Sequence, residues 1–202
     1  MKKTITINLS GAVFSIDEDA YELLKIYLEK IESHFSDEGE RKDIITDIEA
    51  RIAELFSEGG SSGSRPVTFQ DVEKIIEIMG NPEDIADLAD DSEIERDFGG
   101  HYAGRKGSRR IYRDVDNRIF GGVCSGMAAY WSIDALWIRI IFVILAIGAL
   151  SGVFIYLLLW LVIPPALTTA HKLEMRGEPV NISNIGRAVK DEFNNVRKNL
   201  KI

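Results

Sequence analysis

A mainly α chain is predicted: a small N-terminal α+β domain, a helical membrane module and a C-terminal amphipathic helix. Three observations lead there. Charge is unevenly placed, since residues 1–97 hold 25 acids and 10 bases, a net of −15, and residues 98–202 hold 7 acids and 14 bases, a net of +7. An uncharged run of 24 residues, 140–163, lies in the basic half. Elsewhere apolar residues recur at helical spacing, apart from one period-two stretch near the N-terminus. With 46% hydrophobic and 28% charged residues, the composition excludes fibrous, collagen-like and fully disordered chains. Cys124 is the only cysteine, which excludes an internal disulfide and a multi-cysteine metal site.

The N-terminal domain is expected over residues 1–95. Thr4 to Leu9 alternate apolar and polar, Ala12 to Ile16 form a second apolar run, and Ser10-Gly11 between them suits a two-residue hairpin loop. A helix follows from about Asp17 with the stripe Tyr21, Leu24, Leu28, Ile31 and Phe35. The next carries Ile44, Ile48, Ile52, Leu55 and Phe56, and a Gly/Ser loop at 59–64 ends it. Thr68 with Asp71 is an acidic variant of a capping box, Val72, Ile75, Ile76 and Met79 form the buried face, and Gly80 stops the helix. Pro82 starts a short helix through Ile85 and Leu88. The acid clusters Asp17-Glu18-Asp19 and Asp37-Glu38-Gly39-Glu40 lack EF-hand spacing and sit where helices begin, where the dipole favours negative charge. So small a domain is expected to pack on a partner or a second copy.

A linker is expected over 96–108. Arg105, Lys106, Arg109, Arg110, Arg113 and Arg118 then place six bases within fourteen residues, next to the apolar run. That position favours anionic lipid headgroups over nucleic acid, which is not an expected partner. Gly121, Gly122 and Gly126 lie in a short helix, and Gly122 and Gly126, four apart, leave a face for a second helix. Asp134 can cap the helix that leads into the apolar segment. A 24-residue helix would be about 36 Å long against a hydrocarbon slab of about 30 Å, so a single tilted crossing over about 137–163 is expected. Trp137, Tyr156 and Trp160 suit interfacial rings, and Arg139 suits an end anchor with its guanidinium among headgroups. Gly148 and Gly152 leave two readings open: a small-xxx-small contact between helices, or a break into two half-helices. Both flanks are basic. Lys2 and Lys3 precede an alternating stretch rather than an apolar signal core, so the N-terminal domain is expected on the cytoplasmic side.

The order Tyr112-Arg113, Asp116, Arg118, Gly121-Gly122-Val123-Cys124-Ser125-Gly126-Met127-Ala128, Tyr130-Trp131, Ile133-Asp134, Trp137-Ile138-Arg139, Phe142 and Tyr156…Trp160…Pro164 resembles the PspC (phage shock protein C) domain, over about residues 109–166. The resemblance implies an inner-membrane protein of envelope-stress signalling that binds a peripheral regulator and senses membrane damage. Position 125 is Ser where that stretch often has Gly. The stretch DVEKIIEIMGNPEDIADL resembles the end of the small HAAS-type helical domains of bacterial membrane-linked signalling proteins, between about Ile44 and Ala89. It implies no catalytic residue.

The tail, 167–202, carries an amphipathic helix over about 183–201, with Ile185, Val189, Phe193, Val196 and Leu200 on one side and Lys190, Arg197 and Lys198 opposite. Marginal alone, it should dock on a partner, on itself or on anionic membrane. His34, His101 and His171 lie in separate segments, and no HExxH, phosphate loop or GxSxG elbow is present. No catalytic residue, metal, cofactor or small-molecule substrate is therefore expected. The expected function is regulation or sensing at the inner membrane, single-pass, with lipids and a protein partner or further copies of the chain as partners. A small oligomeric channel lined by the Gly148/Gly152 face, or a membrane-active effector, is the alternative.

Overall fold

The computed structural model describes residues 3–60, 65–83, 107, 109–149 and 151–199. These fall into two compact units, one of residues 1–96 with 181–202 and one of residues 97–180.

In the first unit, strands β1 (Thr4–Leu9) and β2 (Ala12–Asp17) pair antiparallel with Leu9 opposite Ala12. Ser10 and Gly11 both have positive φ, +47° and +89°, the backbone of the tight loop that the dipeptide predicted. Asn8 Oδ1 accepts from Gly11 N at 2.9 Å and holds it. Phe14 and Ile16 point inward, and Phe14 meets the Phe56 ring at 5.5 Å between centroids.

Helix α1 (Glu18–Ser33) buries Ala20, Leu24, Tyr27 and Ile31. The expected stripe was centred one residue off, for Tyr21 and Leu28 are only half-buried and Tyr27 is inside. Tyr27 is buried because its hydroxyl has a partner, donating to Gly80 O at 2.9 Å. Helix α2 (Glu38–Glu58) buries Ile44, Ile48, Ile52 and Phe56 as the spacing required, and the Asp37 side chain caps it by accepting from Gly39 N and Glu40 N. Both acid clusters thus stand at helix starts.

Helix α3 (Phe69–Met79) begins at Thr68, whose N–H and hydroxyl both donate to the Asp71 carboxylate, at 3.0 and 2.8 Å. Arg65 adds a two-pronged pair to the same carboxylate at 2.6 and 3.1 Å and holds it well below the usual carboxylate range. Val67 exchanges two backbone hydrogen bonds with the end of β2, giving the hairpin a one-residue third strand. The expected helix through Ile85 and Leu88 lies outside the described residues.

Helix α8 (Ile182–Asn199), the last in chain order, belongs to this unit. The tail expected over 167–202 is thus divided, and its amphipathic helix, expected to dock on a partner, on itself or on anionic membrane, packs on α2 of its own chain. Ile182, Ile185 and Val189 are buried, and the Phe193 ring lies against Gly39. The physical reason is the size of the domain: a hairpin and three short helices leave apolar surface on α2, and α8 brings the apolar stripe that covers it.

The second unit holds α4 (Val123–Trp131), α5 (Ala135–Ala149), α6 (Ser151–Val162) and α7 (Thr169–Arg176). Helix α5 starts at Asp134, whose side chain accepts from Leu136 N at 2.8 Å, the cap that the sequence predicted. Of the two readings left open at Gly148 and Gly152, the break into two half-helices is the one formed, and no single tilted helix runs over 137–163. Helices α5 and α6 fold back on each other, since the Phe142 and Tyr156 rings meet edge-on at 5.4 Å and a Cβ on Gly152 would lie 2.7 Å from the backbone of Leu145 and Ala146. At 15 and 12 residues they are about 22 and 18 Å long, against about 30 Å of hydrocarbon. Among the described residues no helix is long and apolar enough to cross a membrane. Gly152 is the reason that the two helices can approach so closely, because its side of α6 has no side chain to clash with α5.

Candidate functional site

The second unit is organised around a strand and a glycine-bearing helix. Residues 112–114 run extended beside α4, and Asp114 N donates to Gly122 O at 3.1 Å. The helix comes so close that a Cβ on Gly126 would lie 1.9 Å from Tyr112 O, and one on Gly122 would lie 2.0 Å from Asp114 O. The face formed by Gly122 and Gly126 was expected to receive a second helix. The chain's own strand fills it instead. Gly121 does a related job, lying under the edge of the Trp160 indole.

Arg113 closes the unit. Its backbone N–H donates to Pro164 O at 2.8 Å and its carbonyl accepts from Ala166 N at 2.9 Å, so the segments on either side of the hairpin are zipped together. Its guanidinium donates to Ile163 O at 2.8 Å and to Gly121 O at 3.4 Å, and lies 5.6 Å from the centre of the Trp160 ring. The planar fork bridges a carbonyl at the end of α6 and one just before α4, which a lysine could not match.

The other bases of the run differ in position. Arg109 donates to Tyr130 O at 2.9 Å at the C-terminus of α4. Arg110 lies 4.0 Å from the Glu174 carboxylate. Arg118 is exposed, and Arg105 and Lys106 lie outside the described residues. Downstream, Lys172 pairs with Asp116 at 2.7 Å.

Glu174 is only 3% exposed, and its carboxylate accepts from the Tyr112 hydroxyl at 2.8 Å, while the Tyr112 ring stacks on His171 at 4.5 Å. This buried cluster was not anticipated, although Thr168 and Gly177, a capping residue and a left-handed stop on either side of eight residues, mark α7 in the sequence. Burial first, then the neighbouring Glu174 carboxylate, pushes the Tyr112 hydroxyl up to about 12. The folded unit therefore favours the protonated phenol over the unfolded chain, whose ordinary value is 10.0. The resulting stabilisation is complete below pH 10 and is lost as pH rises toward about 12. Tyr112→Phe should cost about 1–3 kcal/mol, because the buried carboxylate loses a donor, and should remove this alkaline step from a melting-temperature profile. An unchanged profile would show that the pair does not stabilise the fold.

The hairpin distributes its polar groups unevenly. Trp137 and Arg139 lie in the first five residues of α5 and Trp160 near the end of α6, so the antiparallel pairing brings them to the same open end. Trp137 and Trp160, expected near opposite ends of the apolar segment, thus lie at one end of the helix pair. Tyr156 sits farther in, its hydroxyl donating to Phe120 O and its ring on Phe142. Toward the turn the side chains are apolar and bare, with Ile147 82% and Phe154 74% exposed. Gly148 lies in the last turn of α5, beside that bend. Burial pushes the Cys124 thiol up, which suits a small apolar packing group rather than a nucleophile. Among the described residues no group of three His, Cys, Asp or Glu side chains could hold a metal.

The second unit is thus a helical module closed by a strand clamp and carrying a bare apolar pair of helices. Residues 109–166 match the PspC domain. Those bounds are structural: they begin at the Arg109 contact with α4 and end at Ala166, the last residue of the clamp. The match relates this part of the chain to the phage-shock, stress-response family, which is not known as catalytic. Residues 27–87 match HAAS, beginning in α1, earlier than the Ile44 start read from the sequence. No curated protein and no solved structure matches the chain.

Proposed function

We propose that the chain is a membrane-bound regulator of the phage-shock type, anchored at the inner membrane by the α5–α6 hairpin and acting through contacts with lipid and protein rather than by catalysis. One observation carries this reading. The hairpin is apolar on every face, with Leu161 85% exposed besides Ile147 and Phe154, and its arginine and tryptophans are confined to the open end. Monomers in water rarely expose an apolar patch of more than a few hundred Å², and each Å² kept from lipid forfeits about 25 cal/mol. Every helical peptide group in the hairpin except those at the ends is bonded within its own helix, which the bilayer interior requires. Insertion from one side replaces the single crossing, and puts both flanking segments on the cytoplasmic face. The first unit, acidic and free of membrane-length helices among its described residues, is the part that binds a protein partner, and the HAAS match agrees with a signalling role.

The channel alternative loses its lining, because Gly152 is turned into α5 of the same chain. Flotation with lipid vesicles tests the proposal. The full chain is expected to rise with vesicles in high salt, where electrostatic adsorption is screened. Recovery of the protein from the aqueous layer would overturn it.

A further inference from the structure

A cleft of about 670 Å³ lies between α4 and the hairpin, within the roughly 300–1,000 Å³ of small-molecule sites. Its walls are almost wholly apolar, with Cys124 from α4, Phe142 and Ala146 from α5, and Val153 and Leu157 from α6. Ser125 and Tyr156 also line it, but their hydroxyls donate to Gly122 O and Phe120 O, and the charged exception is Arg139. On α5 the lining residues Arg139, Phe142, Val143 and Ala146 share one helix face, so the cleft runs about 10 Å along the hairpin from a cation to apolar atoms only. Arg139 is half-buried, donates to Asn117 O at 3.3 Å, and has no described carboxylate in ion-pair reach. A guanidinium has five N–H donors, so its hydrogen-bonding capacity is largely unfilled.

We infer that this cleft binds an anionic phospholipid, its phosphate on Arg139 and one acyl chain along Phe142, Ala146 and Val153. The order of groups in the cleft is the order in an amphiphile, and the open end that holds Arg139 is the end assigned to the headgroup region. The inference rests on the proposed insertion of the hairpin, which brings lipid to the site. Bound lipid would bridge α4 to the hairpin, so that a change in anionic lipid supply alters the packing of the unit that carries the PspC match. Free inorganic phosphate shares the headgroup's chemistry but leaves the apolar part of the cleft empty.

The test is native mass spectrometry of the full chain in non-ionic detergent, with equal dioleoylphosphatidylglycerol and dioleoylphosphatidylcholine. A single retained phosphatidylglycerol is expected, preferred about tenfold, because both lipids offer Arg139 a phosphate but only phosphatidylcholine brings a choline cation beside the guanidinium. Arg139→Gln should abolish the preference and Arg139→Lys should keep part of it. Ala146→Trp, which fills the apolar end, should lower retention of both lipids. Equal retention of the two lipids by the native chain, undiminished preference in Arg139→Gln, or displacement of the lipid by inorganic phosphate would overturn the site. A chain that floats with vesicles yet retains neither lipid removes this site alone, whereas one that stays in the aqueous layer removes the insertion as well.

Discussion

Gly126→Ala is expected to destabilise the second unit by about 3 kcal/mol or more, at or above the upper end of ordinary overpacking. Helix propensity alone points the other way, since alanine in a helix interior is favoured over glycine by about 1 kcal/mol. The steric effect wins because the new Cβ would lie 1.9 Å from Tyr112 O, which is backbone and cannot swing aside. The strand cannot retreat either. Its neighbour Arg113 is held by two backbone hydrogen bonds to the far side of the hairpin, and Tyr112 by Glu174. Gly122→Ala should be at least as severe, because a φ of +79° adds backbone strain to a 2.0 Å clash. Thermal unfolding in detergent, with the exposed Arg118→Ala as control, measures both. An unchanged or raised melting temperature for Gly126→Ala would mean that strand and helix are not in contact.

The second large effect concerns the hairpin turn. Ile147→Lys and Phe154→Lys should each weaken vesicle binding by about 100-fold, since a lysine at membrane depth costs roughly 2.5–3.5 kcal/mol. Neither should harm folding, because both side chains are mostly exposed. Leu167→Lys is the control, equally bare but beyond Pro165 and outside the hairpin. Similar loss at all three positions would point to a general charge effect instead of insertion.

How much of this was legible in the sequence depends on whether the signal was local. The hairpin loop at Ser10-Gly11, the Ile44 to Phe56 stripe, the Thr68–Asp71 cap and the Asp134 cap are short-range patterns, and each is found where the spacing put it. The face of α1 was displaced because Tyr27 reads as amphipathic until its hydroxyl partner, Gly80 O, is known. Hydropathy gave the apolar run but not its fold, since one long helix and two short ones bury the same residues; the small residues around the bend decide between them only through contacts across it. The spacing of Gly122 and Gly126 announced a close approach without saying that a strand makes it. Six clustered bases read as a lipid-facing run, yet the Arg109 and Arg113 guanidiniums bond carbonyls of their own unit, a geometry that composition does not encode. Docking of α8 on α2 joins residues more than 120 apart and left no mark in either helix beyond an apolar stripe.

Sidedness of labelling puts the inserted hairpin to the hardest trial. In a Cys124→Ser background, single cysteines at Trp137, Ile147 and Trp160 are exposed in turn to a membrane-impermeant thiol reagent, from one face of the membrane and then the other. Positions 137 and 160 should both react from the cytoplasmic face and position 147 from neither. Reaction of 137 and 160 from opposite faces would restore a single crossing, and free reaction of 147 in the presence of lipid would leave the hairpin in water.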